Sequence, residues 1–383
     1  MPLHFTPDEL AERRARTCAK MHEAGLDGLL IFRQESMFYL TGYDTFGYVY
    51  FQCLYLGADG RFFLLTRAPD LRQAEETSCI EDISIWIDDP QTNPADELKK
   101  LLTSAGCKGK SLGVEYEAYG LTARNGKRLE TALDGFCRLS DASYLISELR
   151  LVKSPSEIAY VRRAGALADD ALRAALRVIK SGADEGEILA EMQGAVFKGG
   201  GDYPGNEFVI GSGPGALLCR YYTGRRTLAE QDQLTLEWAG AYRHYHAAMM
   251  RTIPVGDVPK PQLSQFEAAR DALLAVEEKF RPGVTYGEAF DAHAEVLDKA
   301  GFRAHRMNAC GYSLGTTFAP NWMDWPMLYH ANPVVIEAGM VIFCHIIIFD
   351  SISGLAMTLG RTSLITGNGA ESLSEMPLDL ITA

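Results

Sequence analysis

Residues 1–150 alternate between stretches with a polar face and short, wholly apolar runs. "TPDELAERRARTCAKMHEAGL" predicts a helix, with Thr6 as N-cap, Pro7 in the first turn and Gly25 closing it. "DGLLIFR", "SMFYLTGY", "YVYFQCLYLG" and "RFFLLT" predict strands, the last two joined by an Asp59-Gly60 hairpin turn. "ISIWI" and "SLGVEY" add two strands, and "NPADELKKLLTSAG" and "LTARNGKRLETAL" add two helices. Helices alternating with strands imply a layered α/β domain over 1–150.

Beyond residue 150 the pattern changes. "SPSEIAYVRRAGALADDALRAALRVIKSG" predicts a long helix, opened by a capping box of Ser154 and Glu157 with Pro155 in the first turn, and stopped at Gly182. A second helix follows in "ADEGEILAEMQGAVFKGG". "FVIGSGPGALLCRYY" reads as a strand and a Gly-rich turn. "LTLEWAGAYRHYHAAMMRTIPVG" holds two apolar runs joined by a Gly-, Tyr- and His-rich link, with Glu237 ending the first run. Two helices, in "QLSQFEAARDALLAVEEKF" and "TYGEAFDAHAEVLDKAGF", precede a strand-rich tail with Asn368-Gly369 as a hairpin turn.

Composition narrows the function classes. The 383 residues are 47% hydrophobic and 23% charged, which suits a chain of two domains with large cores. A net charge of −13 argues against nucleic acid and against anionic membrane surfaces. None of the eight cysteines forms a C-x-x-C pair, no signal segment opens the chain, and no apolar run reaches the ~18 residues of a membrane span. The expectation is a cytoplasmic protein with reduced cysteines.

The chemistry sits where strands should be apolar. Glu237 ends "LTLE", Arg220 and Tyr221 end "ALLCRYY", Tyr312 lies in "CGYSLG" and His345 interrupts "VIFCHIII". A buried carboxylate or imidazole is costly unless it is paired. Each also has an ordinary reading: Glu237 in a salt bridge to Arg251 or Arg243, His345 bonded to a nearby backbone group. "GSGPG" lacks the frame of a phosphate-binding loop and reads as a tight turn.

The order of segments carries more than any one of them. "ELRLVKSPSEIAYVRRA", "GDYPGNEFVIGSGPGALLCRYY", "LTLEWAGAYRHYHAAMMRT", "NACGYSLG", "EAGMVIF" and "TSLITGNGAESLS" resemble the creatinase, prolidase and aminopeptidase P superfamily, and "SMFYLTGYDTFGYVY" resembles its first domain. The resemblance implies an α/β (α+β) chain: a creatinase-like α/β domain over 1–150 and a pita-bread catalytic domain over 151–383.

Metallopeptidases of this fold hold two metal ions with two Asp, one His and two Glu. Laid onto this chain, those positions fall on Glu237, Ala248, Tyr312, His345 and on or beside Gly360. The resemblance therefore implies no metal and no other cofactor. The catalytic His of the family's "HY" falls on Arg220, whose fork suits a substrate carboxylate. The pattern is most similar to the ectoine hydrolases, which open a cyclic amidine with water.

It implies a metal-independent hydrolase of a C–N bond in a small zwitterionic substrate. Glu237 is the expected base, His345 or His246 the proton carrier and Tyr312 a hydrogen-bond donor. Arg220 and Tyr221 are expected on the substrate, joined by Phe46 and Tyr48 from the neighbouring subunit of a homodimer. A creatinase-like amidinohydrolase, an Xaa-Pro dipeptidase-like peptidase with altered ligands and a non-catalytic peptide-binding protein are the alternatives.

Overall fold

The computed structural model describes residues 3–220 and 226–383. Contacts divide the chain into two units, Met1–Arg150 and Leu151–Ala383.

In the first unit, helix α1 (Pro7–Glu23) starts at Thr6, whose hydroxyl accepts from Glu9 N. Strand β1 (Gly28–Ile31) leads into helix α2 (Gln34–Thr41). Strands β2 (Cys53–Gly57) and β3 (Phe62–Arg67) form the expected hairpin, followed by helix α3 (Leu71–Thr77) and strand β4 (Ile83–Trp86). Helix α4 (Pro94–Ser104), strand β5 (Ser111–Val114), helix α5 (Ala123–Leu133), strand β6 (Arg138–Asp141) and helix α6 (Leu145–Leu151) complete it. The sheet order is β4-β3-β2-β1-β5-β6, with parallel and antiparallel pairs mixed.

"SMFYLTGY" corrects the sequence reading: it lies on helix α2, not on a strand. Seven of its eight helical residues are buried, so no polar face marks it as a helix. The helix start is held from far along the chain. Glu115 accepts from Phe32 N at 3.1 Å, Arg33 N at 2.9 Å and Ser36 Oγ at 2.6 Å, placing a carboxylate at the N-terminal end of the helix on the two N–H groups that lead into it and on a first-turn hydroxyl.

The second unit opens with helix α7 (Pro155–Val178), and both bonds of its capping box form. Helix α8 (Glu185–Lys198) and strand β7 (Val209–Ser212) follow. "LTLEWAGAYRHYHAAMMRTIPVG" folds as a long hairpin of strands β8 (Asp232–Tyr242) and β9 (Tyr245–Val255). Its two-residue turn, Arg243 and His244, has φ of 50° and 64°, as a turn matching the strand twist requires. Then come helices α9 (Lys260–Lys279) and α10 (Tyr286–Lys299), and strands β10 (Ala309–Ser313), β11 (Asp324–Tyr329), β12 (Val341–Asp350), β13 (Leu355–Thr366) and β14 (Gly369–Ser372). The antiparallel sheet runs β11-β10-β12-β13-β9-β8-β7, with β14 beside β13.

Alternation along these strands separates a packed face from a chemical one. Ile342, Cys344, Ile346 and Ile348 of β12 share a core with α9 and α10, so His345 faces the other way. Trp238 donates from Nε1 to Ala168 O of α7, and Gly240 lies so close to Ala164 that no side chain fits between. Glu237, between Leu236 and Trp238, therefore points away from α7.

Candidate active site

Cross-strand register brings the two ionisable residues into one row. Val209 pairs with Glu237, Glu237 with Met250, Met250 with Gly360 and Gly360 with His345. Directly opposed residues put their side chains on the same face. A cavity of ≈ 190 Å³ opens on this face. Val209, Met307, Ala309, Met323, Met327 and Ile347 form its apolar wall, while Arg220, Glu237, Tyr312, Asn206, Asn321 and His345 supply its polar groups.

Glu237 is half-buried, exposed only towards the cavity. Tyr312 donates to its Oε1 at 3.2 Å, and Trp322 Nε1 donates to the Tyr312 oxygen at 2.8 Å. Loss of water around the carboxylate pushes its pKa from 4.5 up to about 7, although Tyr312 and the Arg220 charge both pull it down. Burial, together with Tyr312's hydrogen bond to Glu237 and that carboxylate's charge, holds the Tyr312 phenol well above its usual range. The salt bridges to Arg251 or Arg243 do not form: Arg251 Nη1 donates to Met250 O and Gly360 O, and Arg243 turns to Tyr160.

His345 packs at a tilt against Tyr312 and Phe343, with ring centroids at 5.6 Å and 5.3 Å. Its Nδ1 is buried without a hydrogen-bond partner. The backbone bond open to it in the sequence reading is therefore not made at that atom. Burial, then the Arg220 charge, brings its pKa down to about 4. The carboxylate is thus the stronger base of the two, the reverse of their order in water.

Arg220 is exposed, reaches Met323 Sδ at 3.8 Å and pairs with no carboxylate among the described residues. It offers an unneutralised guanidinium at the cavity rim. Tyr221 lies outside the described residues. Cys219 also lines the cavity, but burial and the charge of Glu237 push its thiol up to about 11.

Three further expected site residues are not among those lining the cavity. His246 is fully buried, off the cavity wall, with both ring nitrogens in use. Gly205 N donates to its Nε2 at 2.8 Å, so the ring hydrogen sits on Nδ1 and faces Thr317 Oγ1 at 3.1 Å. It clamps two loops. In the first unit, Tyr48 is 6% exposed while its neighbour Phe46 is 75% exposed, so only Phe46 is available to another molecule.

Trp322, Asn206, Asn321 and the methionine wall were not foreseen, since each residue type has an ordinary reading in loops and cores. The one available signal was Trp322 in "PNW", an aromatic inside a polar loop.

The donors needed for two metal ions do not fit. Ala248 pairs with Ala239, and neither Gly360 nor Met250 offers a carboxylate. Among the described residues, no group of three or more His, Cys, Asp or Glu side chains is placed to hold an ion. A carboxylate at 360 is obstructed as well: a Cβ there would lie 2.9 Å from Cys344 O and 3.0 Å from His345 Cβ.

Comparison with known proteins agrees with the architecture. The profile described as metallopeptidase family M24 matches residues 159–366, and that of the creatinase/prolidase N-terminal domain matches 13–152. An ectoine hydrolase of Halomonas elongata is 29% identical, over 99% of this chain and 98% of its own length. An Xaa-Pro dipeptidase of Pyrococcus horikoshii is 24% identical, over 98% of this chain and 100% of its own. The solved Xaa-Pro dipeptidase of Bacillus anthracis superposes with a TM-score of 0.84 at 22% identity, over 98% of this chain and 100% of its own. Among the described residues, no helix is long and apolar enough to cross a membrane.

Proposed function

The chain belongs to metallopeptidase family M24, a family of hydrolases among its relatives, and from that premise we propose a metal-independent hydrolase that opens a C–N bond in a small zwitterion, a cyclic amidine such as ectoine. The observation that carries this reading is the pairing, in one cavity, of a basic carboxylate, Glu237, with an unneutralised guanidinium, Arg220. A cavity lined by both a carboxylate and a guanidinium suits a ligand that carries both charges. At ≈ 190 Å³ the cavity is smaller than the roughly 300–1,000 Å³ of sites for drug-sized ligands, which favours a small solute over a peptide.

Glu237 takes a proton from water as the water oxygen bonds to the amidine carbon. One C–N bond then breaks, and the leaving nitrogen takes that proton back from Glu237. The proton of the added hydroxyl, lost as the new C=O forms, passes to the released nitrogen by way of the same carboxylate, so the amidinium and water give an amide and an ammonium group. A carboxyl group with a pKa near 7 can serve in both directions at neutral pH. His345 takes part as a neutral imidazole, hydrogen-bonding the substrate or the water through its free Nδ1. Arg220 holds the remote carboxylate.

The retained polar groups speak against a purely structural pocket. A buried polar atom with no partner costs on the order of 1–3 kcal/mol, and His345 Nδ1 is such an atom. We extend the reading to a homodimer in which Phe46, beside half-exposed Val49 and Tyr50, covers the cavity of the other copy. Eight free cysteines suit a reducing, cytoplasmic compartment.

The test is hydrolysis of ectoine, then of creatine and an Xaa-Pro dipeptide, each with and without chelator and followed by proton NMR. Ring opening of ectoine unaffected by chelator is expected. Dipeptide cleavage that requires added metal would overturn the reading in favour of a peptidase.

A further inference from the structure

The hydrogen bonds around Tyr312 run in one direction. An indole N–H can only donate, and a phenol has one proton to give. Trp322 Nε1 donates to the Tyr312 oxygen at 2.8 Å, which leaves the Tyr312 proton to be used elsewhere. The acceptor within reach is Glu237 Oε1, at 3.2 Å. Oε2 of Glu237 has no protein partner among the described residues, and the residue lines the cavity.

Trp322 is itself held from both sides and is 2% exposed. Its backbone N donates to Asn206 Oδ1 at 3.1 Å. Its carbonyl accepts from Thr317 Oγ1 at 3.3 Å, and that hydroxyl in turn faces His246 Nδ1. With the ring hydrogen of His246 on Nδ1, every donor in the series His246, Thr317, Trp322 backbone has an acceptor. The clamp at His246 therefore fixes the loop from which the Trp322 indole reaches Tyr312.

We propose that Trp322 is a positioning residue for Glu237, acting through Tyr312. Its indole occupies the phenol oxygen, turns the phenol proton onto Oε1, and leaves Oε2 as the one oxygen that takes and returns the proton of the reaction. This rests on Glu237 being the base. The consequence is specific. When Glu237 is protonated, Tyr312 cannot readily accept its proton, because the phenol oxygen is already occupied. The acidic hydrogen must then stand on Oε2, towards the substrate. When Glu237 is ionised, Tyr312 stabilises it at Oε1. The relay thus favours the ionised form and aims the protonated one.

The proposal is tested without any substrate, by following the carboxyl band of Glu237 in infrared titrations, isolated as the difference from Glu237→Gln. Tyr312→Phe removes the bond and is expected to move the midpoint upwards by about 1–2 pH units, the worth of one hydrogen bond to a charged group. Trp322→Phe leaves Tyr312 in place but free to turn, so a smaller upward shift is expected. The double variant should match Tyr312→Phe alone. Replacement of Trp322 by benzothienylalanine, which keeps the ring shape and lacks the N–H, gives the same comparison if Trp322→Phe fails to fold.

An unchanged midpoint in both Trp322 variants, or an equal shift when Tyr312 is already Phe, overturns the relay. With a hydrolysed substrate in hand, the acidic limb of kcat should move with the infrared midpoint, which loss of packing alone would not produce. If no substrate is hydrolysed, the functional reading fails while the titration still decides the relay.

Discussion

Replacing Glu237 by Gln should stabilise the protein while lowering its turnover, and the stabilisation should depend on pH in a fixed direction. The folded state holds this carboxyl at about 7 instead of 4.5. A group whose pKa rises on folding contributes its full stability below its unfolded value and loses it as pH climbs through the folded one. The wild-type protein therefore weakens between pH 4.5 and about 7 on account of Glu237. The displacement corresponds to about 3 kcal/mol, and the side of the carboxylate open to cavity water lowers the expectation to about 2 kcal/mol. Gln keeps the size and the oxygen facing Tyr312 but has no charge to desolvate. Urea unfolding at pH 4.5 and pH 8.5, read by tryptophan fluorescence, measures the difference. Three of the four tryptophans, Trp238, Trp322 and Trp325, lie in the unit that carries Glu237. The variant should match wild type within about 0.5 kcal/mol at the lower pH and exceed it by about 2 kcal/mol at the higher. A difference that is the same at both values refutes the desolvated carboxylate. In turnover, the same variant should lose about 10²–10⁴-fold, the usual worth of a general base.

Arg220→Lys keeps the charge and loses the fork, so KM for a carboxylate-bearing substrate should rise about tenfold with kcat within a factor of two or three; steady-state kinetics decide, and an equal fall in kcat would place Arg220 on the reacting carbon. Phe46→Asp puts a charge on an exposed apolar loop and should shift light scattering from about twice the 42.1 kDa chain mass to the chain mass itself; a wild-type protein that is already monomeric removes the composite site.

Signals legible in the sequence were those with local causes. The capping box at Ser154 and Glu157 and the Asp59-Gly60 turn depend on a few adjacent residues, and both formed where expected. Helix α2 did not, because its apolar residues face protein on all sides and its first turn is held by Glu115, whose partnership no local pattern announces. Glu237, Tyr312, Arg220 and His345 stood out because each interrupts or ends an apolar run, and all four line the cavity. His246, expected as a proton carrier from its place in the link behind Glu237, has both ring nitrogens bonded to loops, which no sequence pattern announces. The reversal of base strength between Glu237 and His345 comes from the burial of both groups, and which residues share that buried face needed the register.

The register also says when, during folding, this cavity comes into being. Glu237 and Met250 lie within a single hairpin closed by a two-residue turn, and Gly360 and His345 within another, both of which are the short-range closures that form in microseconds. Among the described residues, the strand ladder that joins the halves is the pairing of β9 with β13, between segments far apart in the chain. Such distant pairings come late, after the loop-closure entropy between them has been met. Neither hairpin holds both the acid and the imidazole, so no early intermediate owns the site. A tight ligand of this cavity would thus report on the last long-range step of assembly, and a chaperone client or fragment lacking the β9–β13 seam would be blind to it.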